Sequence, residues 1–164
     1  MQERGENRVG LNVVLYQPEI PTNTGNIART CTATNTVLHL IRPLGFSTED
    51  KMLKRAGLDF WPYVDVRYYD SLDELFRKYP EGAYYFLTKF GTKRHTDMDY
   101  SDPEENYFFV FGRETSGLPD ELKAANPERC LRIPMAEVMR SLNLSNAAAI
   151  LLYEALRQQR YPGL

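Results

Sequence analysis

At 164 residues, with 43% hydrophobic and 26% charged side chains, the chain fits one globular domain and excludes global disorder and collagen-like repetition. A formal net charge of -2 argues against a strongly basic, non-specific nucleic-acid binder but leaves room for a local basic patch. Cys31 and Cys130 make no disulfide framework, no apolar run reaches the length of a membrane span, and the start MQERGENRVG lacks an apolar signal core, so a reduced, cytoplasmic protein is expected.

Residues 1–10 read as a flexible lead-in and 11–164 as the folded domain. LNVVLY (11–16) is the first strand candidate. QPEIPTNTGN (17–26) is full of turn formers and is expected to be a turn, with IARTCTATN opening a helix after it. VLHLIRP (37–43) reads as a second strand. STEDKMLKRAG (47–57) carries helix signals: a Ser47 or Thr48 cap, acids first, bases last, Gly57 as stop. VDVRYY (64–69) is a third strand, and SLDELFRKYP (71–80) a helix with a Ser71/Glu74 capping box. AYYFLT (83–88) and NYFFVFG (106–112) are the fourth and fifth strands. Between them lies a polar loop, 89–105, long enough to be either functional or mobile. LPDELKAANP holds a short helix and CLRIP (130–134) a sixth strand. The last helix, LNLSNAAAILLYEALRQQR, carries Leu144, Ala147, Ala148, Leu151 and Ala155 on one stripe. Strands that alternate with helices, and that are continuous apolar runs, predict an α/β fold with a mostly parallel sheet covered on both faces.

Polar residues and glycines cluster at three strand ends, where ligands bind in open α/β sheets. After strand one, Gly25 and Asn26 suit a tight turn, and Asn23, Asn26 and Arg29 either face one site or amount to a helix cap and a surface arginine. After the fifth strand, Gly112 permits close backbone approach to a ligand, with Glu114 beside it and Gly117 and Pro119 shaping the turn; an ordinary strand–turn–helix joint is the alternative. Before the last helix, Arg140, Ser141, Asn143, Ser145 and Asn146 suggest a polar pocket, or redundant capping. Neither a phosphate-binding P-loop nor a dinucleotide fingerprint is present. His39, inside a strand pattern, reads as structural, and the histidines and cysteines lack metal-site spacing. Lys51, Lys54 and Arg55, and Lys89, Lys93 and Arg94, form basic runs that either touch phosphate or are solvated faces.

In chain order the three segments read Asn-x-Gly-Asn-Ile-x-Arg-Thr (23–30), Phe-Gly-x-Glu-x-x-Gly-Leu-Pro (111–119) and Ile-Pro-Met…Arg-Ser-Leu-Asn-Leu-Ser-Asn (133–146). This order closely resembles the SpoU branch of the SPOUT superfamily of RNA methyltransferases, over residues 11–162. VLYQPEIPTNTGNIART, RAGLDFW and YEALRQQRYPG look like its single-domain TrmL (YibK) type. The resemblance implies a single-domain SPOUT α/β fold whose C-terminal segment is tied in a deep trefoil knot, an exception to general topology rules. It implies S-adenosylmethionine as cofactor, bent in the knot near Leu87, Gly112, Ile133 and Ser141, with no metal, and a homodimer in which each active site is completed by the partner. The implied reaction is methylation of the ribose 2′-hydroxyl at the pyrimidine wobble nucleotide, position 34, of tRNA, in certain leucine tRNAs.

The implied catalytic group is Arg29, Asn23, Glu114, Ser141 and Asn143, with Asn23 and Glu114 holding Arg29 and the loops. Arg29, Lys51, Arg55, Arg140 and Tyr153 are implied RNA contacts, Tyr153 facing the same region if the last helix begins near Asn143. Arg29 matches the residue to which the branch assigns the 2′-hydroxyl proton; because a guanidinium stays protonated, orienting ribose and phosphate while another group takes the proton is the alternative. One departure stands: Met139 precedes Arg140 where relatives of this type more often carry serine. A non-catalytic RNA-binding homodimer with the same fold, and a small-molecule α/β enzyme, are the competing functions.

Overall fold

The apolar hexapeptide Leu11–Tyr16 forms strand β1, an interior strand of a seven-stranded sheet. The computed structural model describes residues 9–48 and 61–164. Its other strands are β2 (Val37–Ile41), β3 (Val66–Tyr69), β4 (Ala83–Leu87), β5 (Lys93–Arg94), β6 (Tyr107–Phe111) and β7 (Cys130–Arg132). They lie in the order β3-β2-β1-β6-β4-β7-β5, and every pairing is parallel. The helices are α1 (Pro21–Ala33), α2 (Leu72–Lys78), α3 (Asp120–Ala125) and α4 (Leu144–Gln158). None of the described helices is long and apolar enough to cross a membrane. The expected helix over 47–57 falls almost wholly outside the described residues.

The strands are apolar throughout because side chains alternate between two covered faces. Val13, Leu15, Phe109 and Phe111 point to one face, where α1 brings Ile27, Ala28 and Cys31 and α4 brings Ala148, Leu151, Leu152 and Ala155. Val14, Phe108 and Val110 point to the other, against Leu72 and Leu75 of α2 and Leu118 before α3. Ser71 caps α2 as its sequence predicts, its hydroxyl accepting from the Glu74 amide at 3.2 Å; the Glu74 carboxylate returns to the Asp70 amide at 2.7 Å.

One expectation is corrected and one open alternative is resolved. The turn formers at 21–26 lie inside α1, which starts at Pro21, and Gly25 is buried in its first turns. Proline suits a first helical turn, and the amides just before it, Glu19 and Ile20, are taken by the Glu114 carboxylate from across the molecule, a partner invisible to local sequence. The 89–105 loop is packed rather than loose. It contributes β5, and its Tyr100 is fully buried, donating its hydroxyl to the His95 carbonyl at 2.7 Å. Gln158 and Gln159 of the last helical turn bind the Met98 carbonyl and the Tyr100 backbone.

His39 is structural, as its strand context suggests. Fully buried in β2, it lies 2.9 Å (Nε2) from Asn12 Oδ1 and 3.1 Å (Nδ1) from the Tyr69 hydroxyl. Asn12 Nδ2 donates to three oxygens, so Oδ1 must accept from Nε2–H, and Nδ1 accepts from Tyr69. Burial, reinforced by the Arg67 and Lys78 charges, holds its pKa down at about 3. The unfolded chain therefore binds a proton near pH 6.5 that the folded chain refuses until about pH 3, so stability falls as pH falls through that window. Between pH 6.5 and 5 this site removes about 2 kcal/mol of unfolding free energy. The His39 ring resonances should stay constant from pH 8 to 4.5; a midpoint near 6.5 would refute the neutral, locked ring.

Candidate active site

Parallel pairing puts the C-terminal ends of β4, β6 and β7 at one edge of the sheet, where Leu87, Phe111 and Arg132 hand over to loops. Those loops and the first turn of α4 enclose a cavity of about 570 Å³. It is a crevice of ligand size at the carboxyl ends of parallel strands. Asn23, Leu87, Gly112, Glu114, Ile133, Arg140, Ser141 and Asn143 all line it. The three polar segments, separated by some 90 and 20 residues in the chain, thus meet in one place.

A chain of hydrogen bonds ties them. Glu114 accepts from the amides of Glu19 (2.9 Å) and Ile20 (3.0 Å) and, more weakly, from Asn23 Nδ2 (3.4 Å). Asn23 Oδ1 in turn accepts from Asn143 Nδ2 at 3.1 Å. Asn143 Oδ1 then caps α4 by accepting from the Ser145 amide at 2.9 Å, with the Asn146 amide at 3.4 Å. A reciprocal contact closes the first joint: the Glu19 carboxylate accepts from the Thr115 amide (3.1 Å) and hydroxyl (2.8 Å), with Arg113 at 3.6 Å. These Thr115 bonds, aided by Arg113, hold the Glu19 carboxyl below its usual pKa. Glu114 and Asn23 hold the loops together. Since Asn143 performs the capping, Arg140 and Ser141 are left over for the cavity.

Asn143→Ala removes both the cap and the link to Asn23. A loss of about 1–2 kcal/mol in chemical denaturation is expected. Unchanged stability would mean that the Asn23–Asn143 joint carries no weight.

Gly112 lines the cavity, yet the close approach it permits is to its own loop. A Cβ there would collide with the backbone of Gly117 and Leu118, standing 2.6 Å from Gly117 Cα. The loop folds back through paired bonds, Arg113 N–H to Gly117 O (3.1 Å) and Gly117 N–H to Arg113 O (2.9 Å), with Gly117 at φ +70. The fold-back of the loop is thus a second reason for glycine at this position, beside its place in the cavity lining.

Other expected residues lie elsewhere. Arg29 and Asn26 are exposed on α1 and do not line the cavity; of the first segment only Asn23 does. Tyr153 is exposed on α4 and also outside the lining, because ten residues of helix carry it about 15 Å along the axis from Asn143. Lys51, Lys54 and Arg55 lie outside the described residues. Lys93 is paired with Glu128 at 2.7 Å and Arg94 with Asp97 at 3.0 Å, which argues for solvated faces there. Sequence reasoning missed Phe90, Arg113 and Lys123, which line the cavity. The signal was present for two of them: Arg113 fills the variable place in Phe-Gly-x-Glu, and Phe90 is a lone aromatic just past a strand end. Among the described residues no group of three or more His, Cys, Asp or Glu could hold a metal.

The chain is similar to known proteins over almost its whole length. A relative from Bacillus subtilis (strain 168), one of several provisionally named tRNA (cytidine(34)-2'-O)-methyltransferases, is 70% identical over 158 residues, 96% of this chain and 99% of its own. The protein named tRNA (cytidine(34)-2'-O)-methyltransferase from Escherichia coli (strain K12) is 46% identical over 155 residues, 93% of this chain and 96% of its own. A solved structure described under 2-OH methylation of C/U34 on tRNA superposes with a TM-score of 0.83 at 44% identity, covering 92% of this chain and 96% of that one. The SpoU methyltransferase AviRb from Streptomyces viridochromogenes, in complex with AdoMet, superposes at 0.76 with 25% identity, covering 98% of this chain and 61% of that one. The model of the SpoU rRNA Methylase family matches residues 10–153, a span that contains all three segments converging on the cavity. The chain is an enzyme of that family.

Proposed function

We propose that this protein methylates the ribose 2′-hydroxyl of the wobble nucleotide, a cytidine or uridine derivative at position 34, in tRNA, with leucine tRNAs as its substrates. The observation that carries this reading is the hydrogen-bonded convergence of the three segments on one cavity, in a chain so similar to proteins named for that reaction.

The cavity suits S-adenosylmethionine. Its apolar wall, from Leu87, Phe111, Ile133 and Leu144, can take an adenine. Among the described residues, the backbone of Ile133, Ser141 and Leu142 makes no hydrogen bond within the chain, which leaves amides and carbonyls for a polar ligand. In this reading Leu87, Gly112, Ile133 and Ser141 hold the cofactor, which when bound supplies an electrophilic methyl group on a sulfonium. The chain's part is alignment, which in the best intramolecular systems is worth about 7–11 kcal/mol. Glu114, Asn23 and Asn143 fix the loops, and Ser141 orders the cavity mouth.

Arg29 orients ribose and phosphate while another group accepts the hydroxyl proton. Its exposed position outside its own cavity supports a homodimer in which each copy completes the other's site, and Ile20, Ile150 and Tyr153 offer exposed apolar surface on or beside the α1–α4 pair. The C-terminal knot belongs to the same reading, supported by the insertion of β7 between β4 and β5. So does a cytoplasmic location, for which the two free, buried cysteines are suited.

The test is transfer of a labelled methyl group to total tRNA, with 2′-O-methyl mapping in tRNA from cells with and without the protein. Label at the wobble ribose is expected. Cofactor binding without transfer to any RNA would favour the non-catalytic alternative.

A further inference from the structure

Phe90 is the anomaly of the cavity mouth. It is 72% exposed, although the same segment, 89–105, buries Tyr100 completely. Its turn is not loose: the Phe90 amide donates to Thr88 Oγ1 at 3.2 Å and the Gly91 amide to the Thr88 carbonyl at 3.3 Å. Gly91 is pressed so closely on β7 that a Cβ would lie 2.6 Å from the Leu131 carbonyl carbon. A firmly seated turn therefore holds an aromatic ring out in solvent.

The ring borders both the main cavity and a shallow groove beside it, which Arg132, Met135, Met139 and Arg140 also line. Lys89 Nζ stands 5.1 Å and Lys123 Nζ 5.7 Å from the ring centroid. Lys123 is paired with Asp120, but Lys89, Arg132 and Arg140 enter no ion pair among the described residues. Glu137 is the one carboxylate in the groove lining, against those three cations.

We propose that Phe90 is a stacking platform for the unpaired base next to the nucleotide that accepts the methyl group, with Lys89, Arg132 and Arg140 taking the flanking phosphates. The inference rests on the RNA reading above and deepens it. Single-stranded nucleic acid is held by this combination, an aromatic face for a base inside a cationic groove. The charge argues against the cofactor as the ring's partner: a sulfonium ligand carries net positive charge, and three cations against one carboxylate suit a polyanion instead.

The test is steady-state methyl transfer to a tRNA transcript, with cofactor affinity measured separately by calorimetry. Phe90→Ala should raise the tRNA KM about tenfold to a hundredfold, the range of one lost base–aromatic stack, with kcat reduced less and the cofactor Kd unchanged within about twofold. Phe90→Trp should restore the KM and Phe90→Leu should not. A native-like KM in Phe90→Ala, a cofactor Kd that rises in step with the KM, or full rescue by leucine would each overturn the proposal. Native enzyme that transfers no methyl to tRNA would instead remove the functional reading itself.

Discussion

Arg29→Ala should lower kcat/KM for methyl transfer by about a thousandfold or more, the scale on which a transition-state donor acts, and leave the protein folded. The folded half of this result follows from position. Arg29 is exposed in the interior of α1, where alanine is the best helix former, so the substitution leaves the helix itself intact. The functional half rests on the proposal that the guanidinium works at a partner's cavity. Arg29→Lys keeps the charge but loses the planar fork, so it should recover only a minor part of the rate. Mixing supplies the decisive comparison. Arg29→Ala subunits keep an intact cavity, so pairing them with Asn143→Ala subunits, whose own cavity is impaired, creates one sound site per mixed dimer. Random pairing of equal amounts gives about a quarter of native activity if Arg29 acts across the interface. Recovery no greater than the two variants show separately would refute that arrangement, and near-native turnover of Arg29→Ala alone would take the residue out of the mechanism.

The parallel sheet and its order of strands and helices could be read from the chain because the relevant physics is local. Apolar runs such as Tyr107–Phe111 have nowhere to go but between two covered faces, and Ser71 with Glu74 announces a helix start within four residues. What could not be read depends on partners far along the chain. Residues 21–26 are helical because Pro21 starts the turn and a carboxylate some ninety residues away takes the preceding amides. Tyr100 lies in a polar stretch of sequence, and its backbone is held by Gln158 and Gln159 from the far end of the chain. The site behaved in the same way. Asn23, Glu114 and Asn143 are identifiable as chemistry, but their linkage is a fact of three dimensions, and only the fold decides between the two readings the sequence leaves open for Arg29, which is exposed on α1.

Gly112→Ala should cost about 3 kcal/mol or more of stability and abolish measurable cofactor binding. Gly117→Ala is the natural control, because the two glycines are needed for different reasons. Gly117 sits at φ +70 with nothing within 4 Å of a built Cβ, so alanine there meets only the backbone preference against left-handed geometry, about 1–2 kcal/mol. Gly112 has the opposite problem: its added methyl would strike the Gly117 and Leu118 backbone, which cannot swing aside as a side chain does. To relieve the clash the 112–118 loop must open, breaking the paired bonds between Arg113 and Gly117. Glu114 moves with that loop, so the amides of Glu19 and Ile20 lose their acceptor and the contact to Asn23 goes with them. One methyl group thus disconnects the second segment of the cavity wall from the first, and through it from the third. Denaturation curves and calorimetric titration with the cofactor on both variants measure the difference. A Gly112→Ala protein that matched Gly117→Ala in stability and still bound cofactor would show that the loop can fold back in another way, and that the clamp between Glu19 and Thr115 is not what shapes the site.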